Sequence, residues 1–173
     1  MKFASTTVQT TFQSPLGRMT IAATDKGLAG LWFDGQRHLP PELCDQTVWP
    51  AEPDHPVLQQ TSQQLTEYFA GQRSSFDLPL DLSHGTPFQQ SVWQALLDIP
   101  QGDTASYGDI SQRIGKPAAV RAVGSAVGRN PVSVIVPCHR VIGANGALTG
   151  YAGGLDKKTA LLRLEGVLKE TTN

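Results

Sequence analysis

Long apolar runs are missing from this chain. None of its 173 residues falls in a stretch approaching the roughly 18 apolar residues of a membrane-spanning helix. The opening Met1-Lys2-Phe3-Ala4-Ser5-Thr6-Thr7 lacks the apolar segment of a secretory signal. Cysteine is scarce. Cys44 and Cys138 are too few for a disulfide framework, and with His38, His55 and His84 they form no recognised metal-ligand spacing. These shortages point to a cytoplasmic setting with no membrane partner and no metal. Charge is also thin, at 17% of residues, and nearly balanced at a net −1. With 39% hydrophobic residues the composition is neither disordered nor collagen-like. A chain of this size buries about two thirds of its surface on folding, enough for a core without disulfides.

The near-zero charge hides an asymmetry. Residues 1–85 hold five basic and nine acidic groups, a balance of −4, whereas residues 86–173 hold nine and six, a balance of +3. A mildly basic second half could face a polyanion, though +3 is too little to carry tight DNA binding alone, and on this count ordinary solvated charge is the better explanation.

Turn signals at Ser14-Pro15-Leu16-Gly17 and Thr24-Asp25-Lys26-Gly27 separate three β-rich runs, Val8 to Gln13, Met19 to Ala23 and Leu28 to Phe33, which predicts an antiparallel sheet. Residues 35–56, with five prolines, read as loop. Leu58, Leu65, Tyr68 and Phe69 predict a helix from Pro56 to Ala70, and alternation over Phe76 to Asp81 predicts a short edge strand.

The second half is helical. Thr86 with Gln89 and Ser106 with Asp109 form two capping boxes, which predict helices over 87–98 and 107–114. The first should bury Phe88, Val92, Trp93, Leu96 and Leu97, the second Ile110 and Ile114. Gly115 breaks the chain, and a further helix is expected over 117–128. Helix, tight turn, helix matches a helix-turn-helix, or simply two packed helices. In the third helix Ala119, Ala122, Val123 and Ala126 suit a core. Ala118, Arg121, Ser125 and Gly128 lie on another face, one long cation among small groups. Such a face suits close approach to a minor groove better than base reading in a major groove.

Val132 to Val136 reads as a buried strand ending at Pro137-Cys138-His139-Arg140. Asn145-Gly146 marks a turn, Asp156 a helix cap and Gly166 a helix end. Cys138 is a candidate nucleophile, since its thiolate is the strongest one a side chain offers. His139 could take its proton directly or through water, and Glu165 could orient and charge-compensate His139. A buried structural cysteine fits the same residues.

Pro137-Cys138-His139-Arg140-Val141-Ile142 resembles the active-site signature of the O6-alkylguanine-DNA alkyltransferases, or methylated-DNA–protein-cysteine methyltransferases. Gly85-Thr86-Pro87-Phe88-Gln89, Tyr107, Arg121-Ala122-Val123-Gly124, Asn130-Pro131, Gly150 to Gly154 and Leu161 to Gly166 follow in the family's order, so the likeness covers residues 85–168. It implies an α+β fold: residues 1–84 as a ribonuclease-H-like sheet-and-helix domain, residues 85–173 as a winged helix-turn-helix-like, mostly helical alkyltransferase domain.

The resemblance also implies roles. Cys138 is the alkyl acceptor, His139 its water-mediated base and Glu165 the support of His139. Arg121 is the finger that replaces a flipped guanine from the minor groove, with Ala118, Ser125 and Gly128 around it at the DNA. Tyr107 crowds the adjacent phosphate and donates to the guanine ring. Asn130 stabilises the turn carrying the cysteine. Backbone groups near Cys138 and Val141 accept from the exocyclic amine, and the Ala152 amide beside Tyr151 donates to the modified oxygen. Many relatives carry serine at the Ala152 position, so an altered substrate preference is expected. The implied partner is double-stranded DNA with alkylated bases, O6-methylguanine and O4-methylthymine. The implied protein is a single-use monomer without a cofactor and without a phosphotriester-repair domain. A lesion-binding protein without transfer, and a cysteine hydrolase of unrelated substrate, are the competing readings; mass gain on Cys138 discriminates against the first, and the second requires turnover on a small ester or amide and indifference to DNA.

Overall fold

The computed structural model describes residues 3–44 and 49–168; positions 45–48 of the proline-rich stretch, the side chain of Cys44, the first two residues and the tail from 169 lie outside the described residues. Three strands, β1 (Val8–Ser14), β2 (Gly17–Thr24) and β3 (Gly27–Phe33), form an antiparallel sheet in the order β1-β2-β3. The pairing runs from Val8 opposite Ala23 to Ser14 opposite Gly17, with an irregularity at Ala22/Ala23 where β2 meets β3. One face carries Met19, Ile21, Leu31 and Phe33 into the main core; the other carries Ala22 and Trp32 into a smaller cluster with Phe3 and Trp49. This is the period of two that a strand imposes, and β3 is buried throughout. Gly30 has a packing reason: the Trp32 indole folds back over it, and a Cβ there would lie 1.8 Å from the ring.

A four-residue helix, α1 (Pro41–Cys44), interrupts the stretch expected as loop. Helix α2 (Pro56–Phe69) follows, with Leu58, Leu65 and Tyr68 buried against the sheet. The strand expected over Phe76 to Asp81 is reduced to one parallel bridge, Leu80 to Leu28. Leu28 N–H donates to the Pro79 carbonyl and Asp81 N–H to the Leu28 carbonyl, each at 2.8 Å. Pro79 itself has no N–H to extend the ladder, which is why the pairing stops there.

Helices α3 (Pro87–Leu97) and α4 (Tyr107–Arg113) begin at the two capping boxes, with both reciprocal bonds made in each. Val92, Trp93, Ala95 and Leu96 are the buried face of α3; Leu97 is 36% exposed, contrary to expectation, because it falls outside that stripe. Between them runs β4 (Ala105–Ser106), paired in parallel with β5 (Val141–Ile142). Helix α5 (Val120–Gly128) starts three residues later than expected. No side chain caps it, and Lys116 to Ala119 form a turn in which the Lys116 carbonyl accepts from the Ala119 N–H. Ala118 therefore sits in the turn ahead of the helix and not on its face. Ala122 is exposed, while Val123, Ala126 and Val127 face the core. The Trp93 indole N–H donates to the Ala126 carbonyl at 2.9 Å, locking α5 against α3.

The run Val132 to Val136 is buried, as its composition predicts, but it is not a strand. Only Val132 pairs, in a parallel bridge with Leu31. Val134 then adopts φ +73°, a left-handed conformation that costs a β-branched residue of the order of 1–3 kcal/mol. Last comes α6 (Leu155–Leu164). Its N-cap is Gly154, at φ +102°, and not Asp156, which lies in the first turn; a Cβ on Gly154 would meet the Asp156 carboxylate at 2.8 Å. Among the described residues no helix is long and apolar enough to cross a membrane.

Candidate active site

The segment bearing Cys138 hangs from the free edge of the sheet. Leu31 N–H donates to the Pro131 carbonyl at 2.8 Å and Ser133 N–H to the Leu31 carbonyl at 3.1 Å. Asn130, 3% exposed, ties the following turn together. Its Nδ2 donates to the Val136 carbonyl at 2.7 Å, and its Oδ1 accepts from the Val132 N–H at 3.0 Å. These side-chain bonds outcompete a strand ladder, which explains why a β-forming sequence turns here. Pro137 then allows a tight bond from the Cys138 N–H to the Val136 carbonyl at 2.8 Å, and Cys138–Arg140 form one 3-10 turn.

Cys138 opens this turn, 5% exposed, on the wall of a cleft of about 170 Å³. Tyr107, Gly124, Val127, Gly128, Gly150, Tyr151 and Ala152 line the same cleft. The resemblance named Tyr107, Gly128, Tyr151 and Ala152, and the structure brings them together. Arg37 and His38, from the loop after β3, also line it; nothing local in the sequence marks them. The loop is tied to the site by the Arg37 N–H donating to the Ala152 carbonyl at 2.9 Å. Gly124 opens the cleft. A Cβ there would already stand 3.8 Å from the Tyr107 ring, so longer side chains would project into the space beside it. The Tyr107 hydroxyl is 2.9 Å from Thr149 Oγ1.

Behind the cysteine lies a buried ionic network. His139 Nε2 is 2.7 Å from Glu165 Oε2, and both side chains are 0% exposed. Arg140 places Nε 2.8 Å from Oε1 and Nη2 3.0 Å from Oε2, while its Nη1 donates to the Ile99 carbonyl at 2.6 Å. The Tyr68 hydroxyl donates to Oε2 at 2.5 Å. Burial opposes the charge on Glu165, but the donors from His139, Arg140 and Tyr68 outweigh it and hold the carboxyl at about 2. His139 Nδ1 has no partner among the described residues, so one ring nitrogen is fixed by the carboxylate and the other is free for chemistry. Burial lowers the proton affinity of His139, with Glu165 opposing. Burial pushes the Cys138 thiol up, opposed by Asn130 and the Lys158 charge. At rest the pair is therefore thiol and neutral imidazole.

Lys158 on α6 is fully buried, which nothing in its local sequence marks. Its Nζ donates to the Val141 carbonyl at 2.6 Å and to the Thr149 carbonyl at 3.0 Å, bridging the segment after the cysteine to the loop that closes the cleft. Arg121 and Ser125 stand exposed on α5, outside the cleft, as does Ala118 in the preceding turn. Arg121 makes no ion pair among the described residues.

Comparison with known proteins covers most of the chain. Residues 7–82 match the ribonuclease-like domain of 6-O-methylguanine DNA methyltransferase, and residues 87–167 match its DNA-binding domain. Curated proteins named methylated-DNA–protein-cysteine methyltransferase from Mycobacterium tuberculosis (strain H37Rv) and Methanosarcina acetivorans are each 50% identical, over 155 and 156 residues. The matches cover 90% of this chain and 90% and 96% of those proteins. The crystal structure of Mycobacterium tuberculosis OGT in complex with DNA superposes with a TM-score of 0.80 at 49% identity, covering 90% of both chains. A mixed sheet-and-helix chain with Cys138 opening on a cleft and His139 held by Glu165 thus belongs to the 6-O-methylguanine-DNA methyltransferase family.

Proposed function

We propose that this protein repairs alkylated DNA by direct reversal, moving the methyl group of O6-methylguanine, and of O4-methylthymine, irreversibly to its own Cys138. The observation that carries this reading is the placement of the Cys138 thiol on an open cleft, backed by an imidazole whose far nitrogen is fixed by a buried carboxylate. The reacting carbon is hidden in a duplex, so the base must leave the stack, at a cost of a few kcal/mol. Arg121, exposed on α5, enters from the minor groove and occupies the vacated space. The small residues Ala118, Ser125 and Gly128 let the protein approach the backbone there.

The flipped base enters beneath Tyr107. Its exocyclic amine donates to backbone groups near Cys138 and Val141, and the Ala152 N–H donates to the oxygen that carries the methyl group. His139 Nδ1 takes the thiol proton through water. The Cys138 sulfur attacks the methyl carbon in line: an S–C bond forms, the O–C bond breaks, and its electron pair leaves with the base. Tyr107 donates to the guanine ring as that charge develops. The product is S-methylcysteine, a thioether with no route back to the thiol, so each molecule acts once. The agent is a cytoplasmic monomer and needs no cofactor, because DNA supplies the methyl group. Asn130 supports all of this indirectly, by shaping the turn.

Titration tests the reading. With a duplex bearing one O6-methylguanine, repaired guanine should rise linearly with protein and stop at one per molecule. Repair continuing past that ratio, or no repair at all, contradicts it.

A further inference from the structure

Glu165 is shared between the two halves of the chain. Three donors converge on its Oε2: His139 Nε2, Arg140 Nη2 and the Tyr68 hydroxyl, the last reaching across 97 residues from α2. The transfer mechanism above uses His139 and Glu165 and leaves Tyr68 without a role. Packing alone does not call for a phenol here. The ring is 1% exposed and sits against Phe69 and Phe76, with centroids 5.2 and 5.3 Å away, where phenylalanine would fill the same space. A buried hydroxyl is costly unless it is used, and this one is used entirely on the carboxylate that holds the base.

We propose that Tyr68 is a positioning residue for alkyl transfer: by donating to the carboxylate oxygen that also holds His139, helix α2 sets how strongly His139 takes the proton of Cys138. The inference rests on the function proposed above. A carboxylate stabilises a neighbouring imidazolium in proportion to the charge it keeps, and every further donor withdraws some of that charge. Tyr68 therefore restrains the proton affinity of His139 and also pins Oε2, the atom that holds His139 Nε2. The titratable and charged groups around the pair are Glu165, Arg140 and Lys158 about His139, Lys158 and Tyr151 about Cys138, and Tyr68 about Glu165. With the thiol pushed up and the imidazole pushed down by burial, the first proton to leave on raising the pH is that of His139, so the acid limb of reactivity reports on this residue.

The test is the pH profile of two reactions of the full-length protein. One is single-turnover methyl transfer from duplex O6-methylguanine; the other is iodoacetamide alkylation, counted on the Cys138 peptide by mass. Tyr68→Phe keeps the ring and removes the donor, and should move the acid limb of both upward by roughly half to one pH unit. Site-specific replacement of Tyr68 by the more acidic 3-fluorotyrosine keeps the fold and strengthens the donor, and should move it downward. A limb that stays in place in both variants, whatever the uniform loss of rate, overturns the proposal. If the unaltered protein transfers nothing from DNA while the alkylation limb still follows Tyr68, the functional reading fails and the coupling stands.

Discussion

Replacing Glu165 by glutamine removes one charge and almost no volume from the most heavily bonded carboxylate of the site. The carboxyl is held at about 2 against an ordinary 4.5. A gap of that size corresponds to about 3 kcal/mol of folding free energy. The sign follows from the direction of the shift. A depressed carboxyl binds protons less readily folded than unfolded, so its contribution is complete above pH 4.5 and disappears as the pH falls through about 2. Glutamine also leaves the buried Arg140 guanidinium without a counter-charge and offers the Tyr68 hydroxyl one acceptor fewer. Breaking such a pair typically costs about 3–5 kcal/mol, in line with the figure from the depressed carboxyl. Urea unfolding of both proteins from neutral pH down to about 2 should therefore show Glu165→Gln less stable by about 3 kcal/mol at pH 7, with the gap closing across the acid range. A difference that does not vary with pH would refute the reasoning, because it would place the loss in shape and not in charge.

Three further outcomes follow from the same contacts. Asn130→Ala removes the side-chain bonds to the Val132 and Val136 backbone and leaves the buried Val132 N–H without its acceptor; it should cost about 1–3 kcal/mol in denaturant unfolding and slow transfer strongly. Gly124→Leu, on a helix and with its side chain directed at Tyr107, should keep the fold by circular dichroism while blocking transfer from both duplex DNA and free O6-methylguanine. Arg121→Ala should slow repair of duplex DNA far more than reaction with the free base, since only the duplex requires a base to be flipped; equal slowing in a rapid-quench assay would remove the finger assignment.

Local chemistry made much of the fold legible. Thr86 with Gln89 and Ser106 with Asp109 carry their own capping partners three residues away, so α3 and α4 begin where the sequence says. The β1-β2-β3 sheet is written in adjacent turns and runs. Failures occur where a distant or side-chain bond overrides propensity. Val132 to Val136 favours a strand, yet the amide of Asn130 takes the backbone groups a strand would use and Val134 turns left-handed. Residues 117–119 look helical, but the chain turns through Lys116–Ala119 and no side chain caps a helix before Val120.

In the site, Cys138 and His139 are adjacent and visible as a candidate pair. Glu165 is a possible third member by residue type, and the resemblance to a family gives it the same role. Tyr68, Lys158, Arg37 and His38 leave no sequence signal, because each reaches the site by folding across many intervening residues. Burial decides which polar residues matter here: Lys158 and Glu165 look like ordinary helix-surface charges until the structure encloses them.

The central claim is that the Cys138 sulfur receives the alkyl carbon. Incubating the protein with equimolar duplex carrying an isotope-labelled O6-methyl group, followed by peptide mass mapping, tests it most directly. The account predicts a single labelled methyl group on the peptide containing Cys138 and intact guanine in the DNA. Label lost from the DNA without appearing on Cys138, or appearing on another residue, would contradict it.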